Sequence, residues 1–196
     1  GSEEKLDMLQ YCVQTLTERG YVFIGMDHFA KPDDELSIAL KEGFLQRNFQ
    51  GYSTYADCDL VAIGVSSIGK IGSTYSQNER DIDAYYAALD AGYLPIMRGY
   101  QLNQDDILRR NIIQDLMCRF SLDYQIYESV FGIPFSRYFA AELEDMKQLE
   151  TLGLVRLKPH SLTVTPKGRF LIRNIAMVFD YHLRHKETKA KYSQTV

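Results

Sequence analysis

The sequence lacks most of the features that announce a chemistry. It has no apolar run approaching the roughly 20 residues of a membrane-crossing helix, so a membrane protein is not expected. It has no excess of base: 22 Lys and Arg against 26 Asp and Glu leave a net charge of −4. That balance argues against a protein that coats nucleic acid, because non-specific binding rests on a basic surface. Its three cysteines, Cys12, Cys58 and Cys118, are odd in number and far apart. They form no CxxC or CxxxC half-site, and the expectation is buried, inert thiols in a reducing compartment. With no secretory or targeting pattern, the default location is the cytoplasm. A glycine-rich phosphate loop, a GxSxG elbow and an HExxH pair are missing too, so a self-contained hydrolase or metalloenzyme has no support.

What is there is ordinary in bulk and patterned in detail. A chain of 196 residues suffices for one large domain or two small ones with real cores. It begins Gly1-Ser2, which reads as the scar of a removed tag, and enters a helical pattern at once. The expectation is a piece cut from something longer. Leu6, Leu9, Val13 and Leu16 recur at helical spacing before Gly20, and YVFIGMDHF (21–29) reads as a strand. Asp33, Asp34 and Glu35 then open a helix to about residue 45. In DLVAIGVSSIG (59–69) the apolar first half suggests a buried parallel strand, and 78–89 is helical again. Helix, strand, helix, strand, helix is the alternation of an α/β fold. Two strands make no barrel, so residues 1–96 (1–2 being the scar) read as the end of an α/β domain.

From 97 to 196 the pattern turns helical. Asn103 and Asp106 have capping-box spacing, with Leu102 and Ile107 placed as a hydrophobic staple, and they open a helix to about residue 120. Helices follow at 122–131 and 134–152, then two short strands around Pro159-His160-Ser161, then a long closing helix from about residue 166. That order resembles a winged-helix module.

In parallel α/β folds, the residues at the C-terminal ends of strands form the binding face. Asp27 and His28 end the first strand, as a polar pair at a site mouth or as a helix cap and a packed histidine. Ser66, Ser67, Ile68 and Gly69 suit close approach of a ligand, but a tight turn explains them as well. Arg47 and Lys70 could meet carboxylates, although a lone exposed cation is usually only solvated. Tyr85, Tyr86, Tyr124, Tyr127 and Tyr138 sit at helical positions and read as core or half-buried packing. Arg169, Arg173, Arg184, His185, Lys186, Lys189 and Lys191 make the C-terminal stretch basic. The apolar residues between the first of these, and the overall acidity, weigh against DNA.

Three strings carry more than spacing does: FIGMDHFAKPDDEL, RNFQGYST and DLVAIGVSSIGKIGSTYSQN, with GRFLIRNIAMVFDYHLR towards the end. Over essentially its whole length the chain resembles the oxygen-independent coproporphyrinogen III oxidases (coproporphyrinogen dehydrogenases), which are radical S-adenosylmethionine enzymes. The resemblance implies the last units of an incomplete (β/α) barrel followed by a mostly helical domain. It implies a parent that oxidatively decarboxylates two propionates of coproporphyrinogen III to vinyls, giving protoporphyrinogen IX, with a [4Fe-4S] cluster and S-adenosyl-L-methionine. The family's CxxxCxxC run is absent, so this chain alone is expected to hold no cluster, carry no catalytic residue and be inactive. By motif, Phe49 and Gln50 match an aromatic-amide pair placing substrate or a second S-adenosylmethionine, and Ile68 an apolar contact to the latter. Asp27, His28 and Arg47 lie in matching motifs without an assigned role. The alternatives are a haem chaperone of the same superfamily and a non-catalytic winged-helix interaction module. As partners we expect coproporphyrinogen III for the parent, no nucleic acid, no membrane, and self-association through an exposed sheet edge at 22–27.

Overall fold

The computed structural model describes residues 2–55 and 58–185. The chain opens with α1 (Ser2–Glu18), which ends at Gly20, and continues into an antiparallel hairpin of β1 (Val22–Gly25) and β2 (His28–Ala30). The nine residues expected to be one strand are thus two. Gly25 at φ 155° and Met26 at φ 56° reverse the chain, so Asp27 and His28 sit in and just after a turn. They do not end a parallel strand. Next, α2 (Glu35–Glu42) starts on Asp34, whose carboxylate accepts from the Leu36 N–H at 2.9 Å.

A second hairpin follows, β3 (Gln46–Asn48) and β4 (Gly51–Ser53), with Phe49 and Gln50 as its two-residue loop. The expected buried parallel strand at 59–69 is not formed. Val61 and Ile63 are exposed at 69% and 84%, and the stretch contributes one bridge, Leu60 to Lys70. Its alternate residues Val61 and Ile63 face outward, while Leu60, Ala62 and Val65 are half-buried. The strands instead are β5 (Ile68–Ile71), β6 (Thr74–Asn78) and β7 (Ile96–Gln101), an antiparallel sheet in the order β5-β6-β7. Asn78 therefore ends a strand, and helix α3 (Ile82–Asp90) starts later, on the Asp81 cap.

The helical region begins with α4 (Gln104–Arg119). The capping box is formed as expected: Asn103 Oδ1 accepts from the Asp106 N–H at 2.9 Å, and Asp106 Oδ2 accepts from the Asn103 N–H at 3.0 Å. A short strand, β8 (Ser121–Asp123), leads into α5 (Tyr124–Phe131), α6 (Phe135–Tyr138) and α7 (Ala140–Thr151). The expected pair β9 (Val155–Lys158) and β10 (Ser161–Val164) is present, and β8 adds a third strand in the order β8-β10-β9. The long closing helix is broken into α8 (Pro166–Arg169), α9 (Ile172–Met177) and α10 (Tyr181–Arg184). Lys186, Lys189 and Lys191 lie outside the described residues.

One buried cluster runs from Ile24 to Phe179, with Ile112, Leu116, Phe135 and Phe139 fully enclosed. Tyr124 and Phe135 stack within it, centroids 4.3 Å apart. The architecture is a mixed α/β region with small antiparallel sheets and no closed barrel, followed by a largely helical region. Of the cysteines only Cys118 is buried; Cys12 and Cys58 are exposed, against expectation.

Candidate functional site

The two hairpins meet through a ring contact. His28 and Tyr52 pack T-shaped, centroids 5.1 Å apart, and Asp27 Oδ1 stands 2.8 Å from His28 Nδ1 without an aligned hydrogen bond. The approach depends on two glycines. A Cβ on Gly25 would fall inside contact distance of the Tyr52 hydroxyl, and one on Gly51 would lie 3.2 Å from His28 Nε2. Both glycines adopt positive φ, 155° and 137°, where other residues are strained.

Tyr52 anchors the second hairpin to α4 by donating to the Met117 carbonyl at 3.2 Å. Burial above all, together with Cys118 and against the opposing pull of Arg47, pushes its hydroxyl pKa up to about 12. Arg47, paired across the hairpin with Tyr52, holds its guanidinium 5.5 Å from that ring. Gln114 donates to Gln46 at 3.0 Å and makes a second tie. At the hairpin's tip, Asn48 Oδ1 accepts from the Gln50 N–H at 2.8 Å, an Asx turn that presents Phe49 and Gln50 to the outside. Phe49 is 53% exposed and packs edge-on against Tyr75, centroids 5.4 Å apart.

Two cavities open on either side of this aromatic pair. One, of about 550 Å³, is walled by Phe49, Tyr75, Tyr100, Leu102, Asp106, Arg110, Ile113, Tyr181 and His182 among others. The other, of about 500 Å³, is walled by Arg47, Asn48, Phe49, Cys58, Asp59, Lys70, Tyr75, Arg110 and Ile113 among others. The α4 wall follows from helical geometry: Asp106, Arg110, Ile113 and Gln114 lie three or four residues apart along one face. Leu108, Ile112 and Leu116 occupy the opposite side and are buried in the core.

The first cavity contains a network of polar groups. Asp106 accepts from the Tyr100 hydroxyl at 2.9 Å and lies 3.0 Å from His182 Nε2, while Tyr100 and His182 are 3.3 Å apart. Burial pushes the Asp106 carboxyl up, but the Asn103 N–H, Tyr100 and His182 outweigh it and hold it below the ordinary value. The same contact raises the Tyr100 hydroxyl above its ordinary value.

Of the residues singled out by sequence, Asp27, His28, Arg47 and Phe49 gather around Tyr52 and Tyr75. Gln50 is exposed at the turn, and Ile68 is half-buried opposite Gln77; neither lines either of these two cavities. Sequence reasoning did not single out Arg110, Tyr75, Tyr100 or His182 as site residues. The α4 stripe is a signal that would have found Arg110; the other three come together only through tertiary packing. Among the tyrosines, Tyr124 and Tyr127 are buried, whereas Tyr86 and Tyr138 are exposed at 56% and 44%. Among the described residues no group of three His, Cys, Asp or Glu could hold a metal ion, and no helix is long and apolar enough to cross a membrane. The residues present do not fit an iron-sulfur cluster.

Residues 102–171 match the family model described as the HemN C-terminal domain. The oxygen-independent coproporphyrinogen III oxidase of Synechocystis sp. is 48% identical over 199 residues, covering 100% of this chain and 43% of that protein. Its namesake from Salmonella typhimurium is 46% identical over 195 residues, again 100% of this chain and 43% of the relative. The solved structure of the Escherichia coli coproporphyrinogen III oxidase (HemN), described as a radical SAM enzyme, superposes with a TM-score of 0.88 at 47% identity, covering 93% of this chain and 42% of that one. The chain spans less than half the length of these relatives. Over its whole length the chain matches the C-terminal part of the oxygen-independent coproporphyrinogen III oxidases.

Proposed function

We propose that this chain is the C-terminal portion of an oxidoreductase that converts coproporphyrinogen III to protoporphyrinogen IX by oxidative decarboxylation of two propionates, in porphyrin and haem biosynthesis. The observation that carries the reading is identity of 46–48% across the entire chain to enzymes of that name. The site geometry supports it: an aromatic turn, Phe49 against Tyr75, stands between two cavities that share Arg110, and Arg47 and Lys70 line one of them. That is a suitable wall for a flat apolar ligand edged with carboxylates.

In this reading Phe49, Gln50 and Ile68 contact substrate or a second S-adenosylmethionine, and Asp27, His28 and Arg47 form the site mouth. Cluster and first S-adenosylmethionine are held by residues of the parent outside this chain, so no catalytic step is assigned to the residues here. We divide the chain into 1–96 and 97–196, with β7 (Ile96–Gln101) spanning the join. The parent works in the cytoplasm, away from nucleic acid and membrane. The chaperone and the non-catalytic module gain no support from the site.

Anaerobic assay of the full-length gene product with coproporphyrinogen III should yield protoporphyrinogen IX, while the 196-residue chain alone yields none. Gln50→Ala in the full-length protein should lower turnover and leave the urea midpoint in place. No turnover by the full-length protein, or turnover by the short chain, would overturn the reading.

A further inference from the structure

Arg110 lies in the middle of α4 with its Nη1 buried and without a hydrogen-bond partner. It lines both cavities. The other arginines of the helix are engaged: Arg109 with Asp105 and Glu142, and Arg119 with Asp115. Arg47 has a similarly buried, unpartnered Nε, and Lys70 shares its cavity. Among the described residues, no ion pair joins Arg47, Lys70 or Arg110 to a carboxylate.

The acids near these cations are already committed. Asp59 accepts from the Gly72 N–H at 2.7 Å, and Asp180 from the Leu183 N–H at 3.0 Å. Asp106 serves Tyr100, His182 and the Asn103 N–H. A guanidinium removed from water needs an anion and hydrogen-bond acceptors to offset its desolvation. A carboxylate of a ligand in the cavities would supply that acceptor to the buried Nη1 of Arg110. The other residues common to both walls, Phe49, Tyr75 and Ile113, are apolar or aromatic, so a ligand held beside Arg110 joins an apolar body to an acidic group.

We propose that Arg110 is a substrate-positioning residue that binds a propionate carboxylate of the tetrapyrrole where the two cavities meet, with Arg47 taking a second acidic group in the neighbouring cavity. This rests on the functional reading above. Arg110 supplies two parallel N–H donors to a carboxylate, a geometry that a lysine cannot reproduce. A carboxylate could also come from S-adenosylmethionine, and the test separates the two.

The test is equilibrium binding of coproporphyrin III, the stable oxidised form with the same four carboxylates, to this chain, read by porphyrin fluorescence. Arg110→Met should weaken binding about tenfold or more, as expected for a lost charge-assisted hydrogen bond. Arg110→Lys should recover part of the loss, and Arg47→Met should lose less than Arg110→Met. The tetramethyl ester of coproporphyrin should bind poorly to the parent chain and equally poorly to Arg110→Met. Circular dichroism and the urea midpoint establish that each variant is folded, and Arg110→Lys carries the test if Arg110→Met does not fold.

Several outcomes would overturn the assignment: no binding of coproporphyrin, unchanged binding by both Arg110 variants, equal affinity for acid and ester, or Arg110-dependent binding of S-adenosylmethionine alone. Failure of the functional reading looks different. The full-length protein would not consume coproporphyrinogen, yet coproporphyrin binding would still depend on Arg110.

Discussion

Arg109 and Arg110 are neighbours of identical chemistry with opposite surroundings. A helix turns about 100° per residue, so one step moves the side chain from the wall of the first cavity, where neighbours take up its guanidinium, to a position that lines both cavities. Arg109 donates to Asp105 at 2.8 Å, to Glu142 at 2.8 Å and to the Phe179 carbonyl at 3.2 Å, and its guanidinium lies 5.0 Å from the Phe139 ring centre. Removing Glu142 leaves a buried guanidinium compensated by Asp105 alone. Glu142→Ala should therefore lower stability by about 3 kcal/mol, measured as a shift in the urea unfolding curve. A shift within error would show that Asp105 and Phe179 suffice. In the sequence, the i, i+4 relation of Asp105 and Arg109 is legible, but Glu142 stands 33 residues further on and only folding reveals it. Phe49 is the counterpart: its motif was readable, but its packing on Tyr75 depends on a sheet that sequence did not predict.

At the scale of elements, what was local was legible. The Asn103–Asp106 capping box and the 155–164 hairpin depend on residues a few positions apart, and both formed as expected. The errors lie where distant parts decide. YVFIGMDHF has the composition of one strand, but the positive φ of Gly25 and Met26 folds it back, so Tyr52 can pack beneath it. The closing helix reads as continuous, yet it breaks twice between Pro166 and Arg184 while Phe179 enters the core. One consequence is measurable. Tyr100 of β7, Asp106 of α4 and His182 of α10 tie three elements through a single carboxylate. Asp106 titrates below its ordinary 3.8 in the folded chain. Its contribution is complete above that value and is lost as pH falls through the lowered native value, because the unfolded chain takes up the proton first. Asp106→Asn should reduce stability at neutral pH and flatten the fall on acidification, followed by urea midpoints from neutral to about pH 2. An unchanged acid limb would remove Asp106 from this role.

For the whole molecule, the small sheets matter most. The β1–β2 hairpin is a two-stranded sheet, so β1 keeps one edge without a strand partner among the described residues. Large apolar side chains such as Val61, Ile63, Tyr93 and Leu94 are exposed at 69–84%. Unpaired edges and uncovered apolar surface both favour association. The average mass of this chain in light scattering should rise with concentration, with protection from amide exchange at 22–27 rising alongside it. A constant monomer mass would exclude the edge as a contact. The way the hairpins fit together has a different consequence. Where Gly25 meets Tyr52 and Gly51 meets His28, the clearance between β1–β2 and β3–β4 is set by two methyl groups that are not there. The second hairpin carries Arg47, Asn48 and Phe49 into a cavity wall, so its seat against β1–β2 sets where that wall stands. A single added carbon at either would wedge the hairpins apart and retune which guests fit, with every wall residue unchanged.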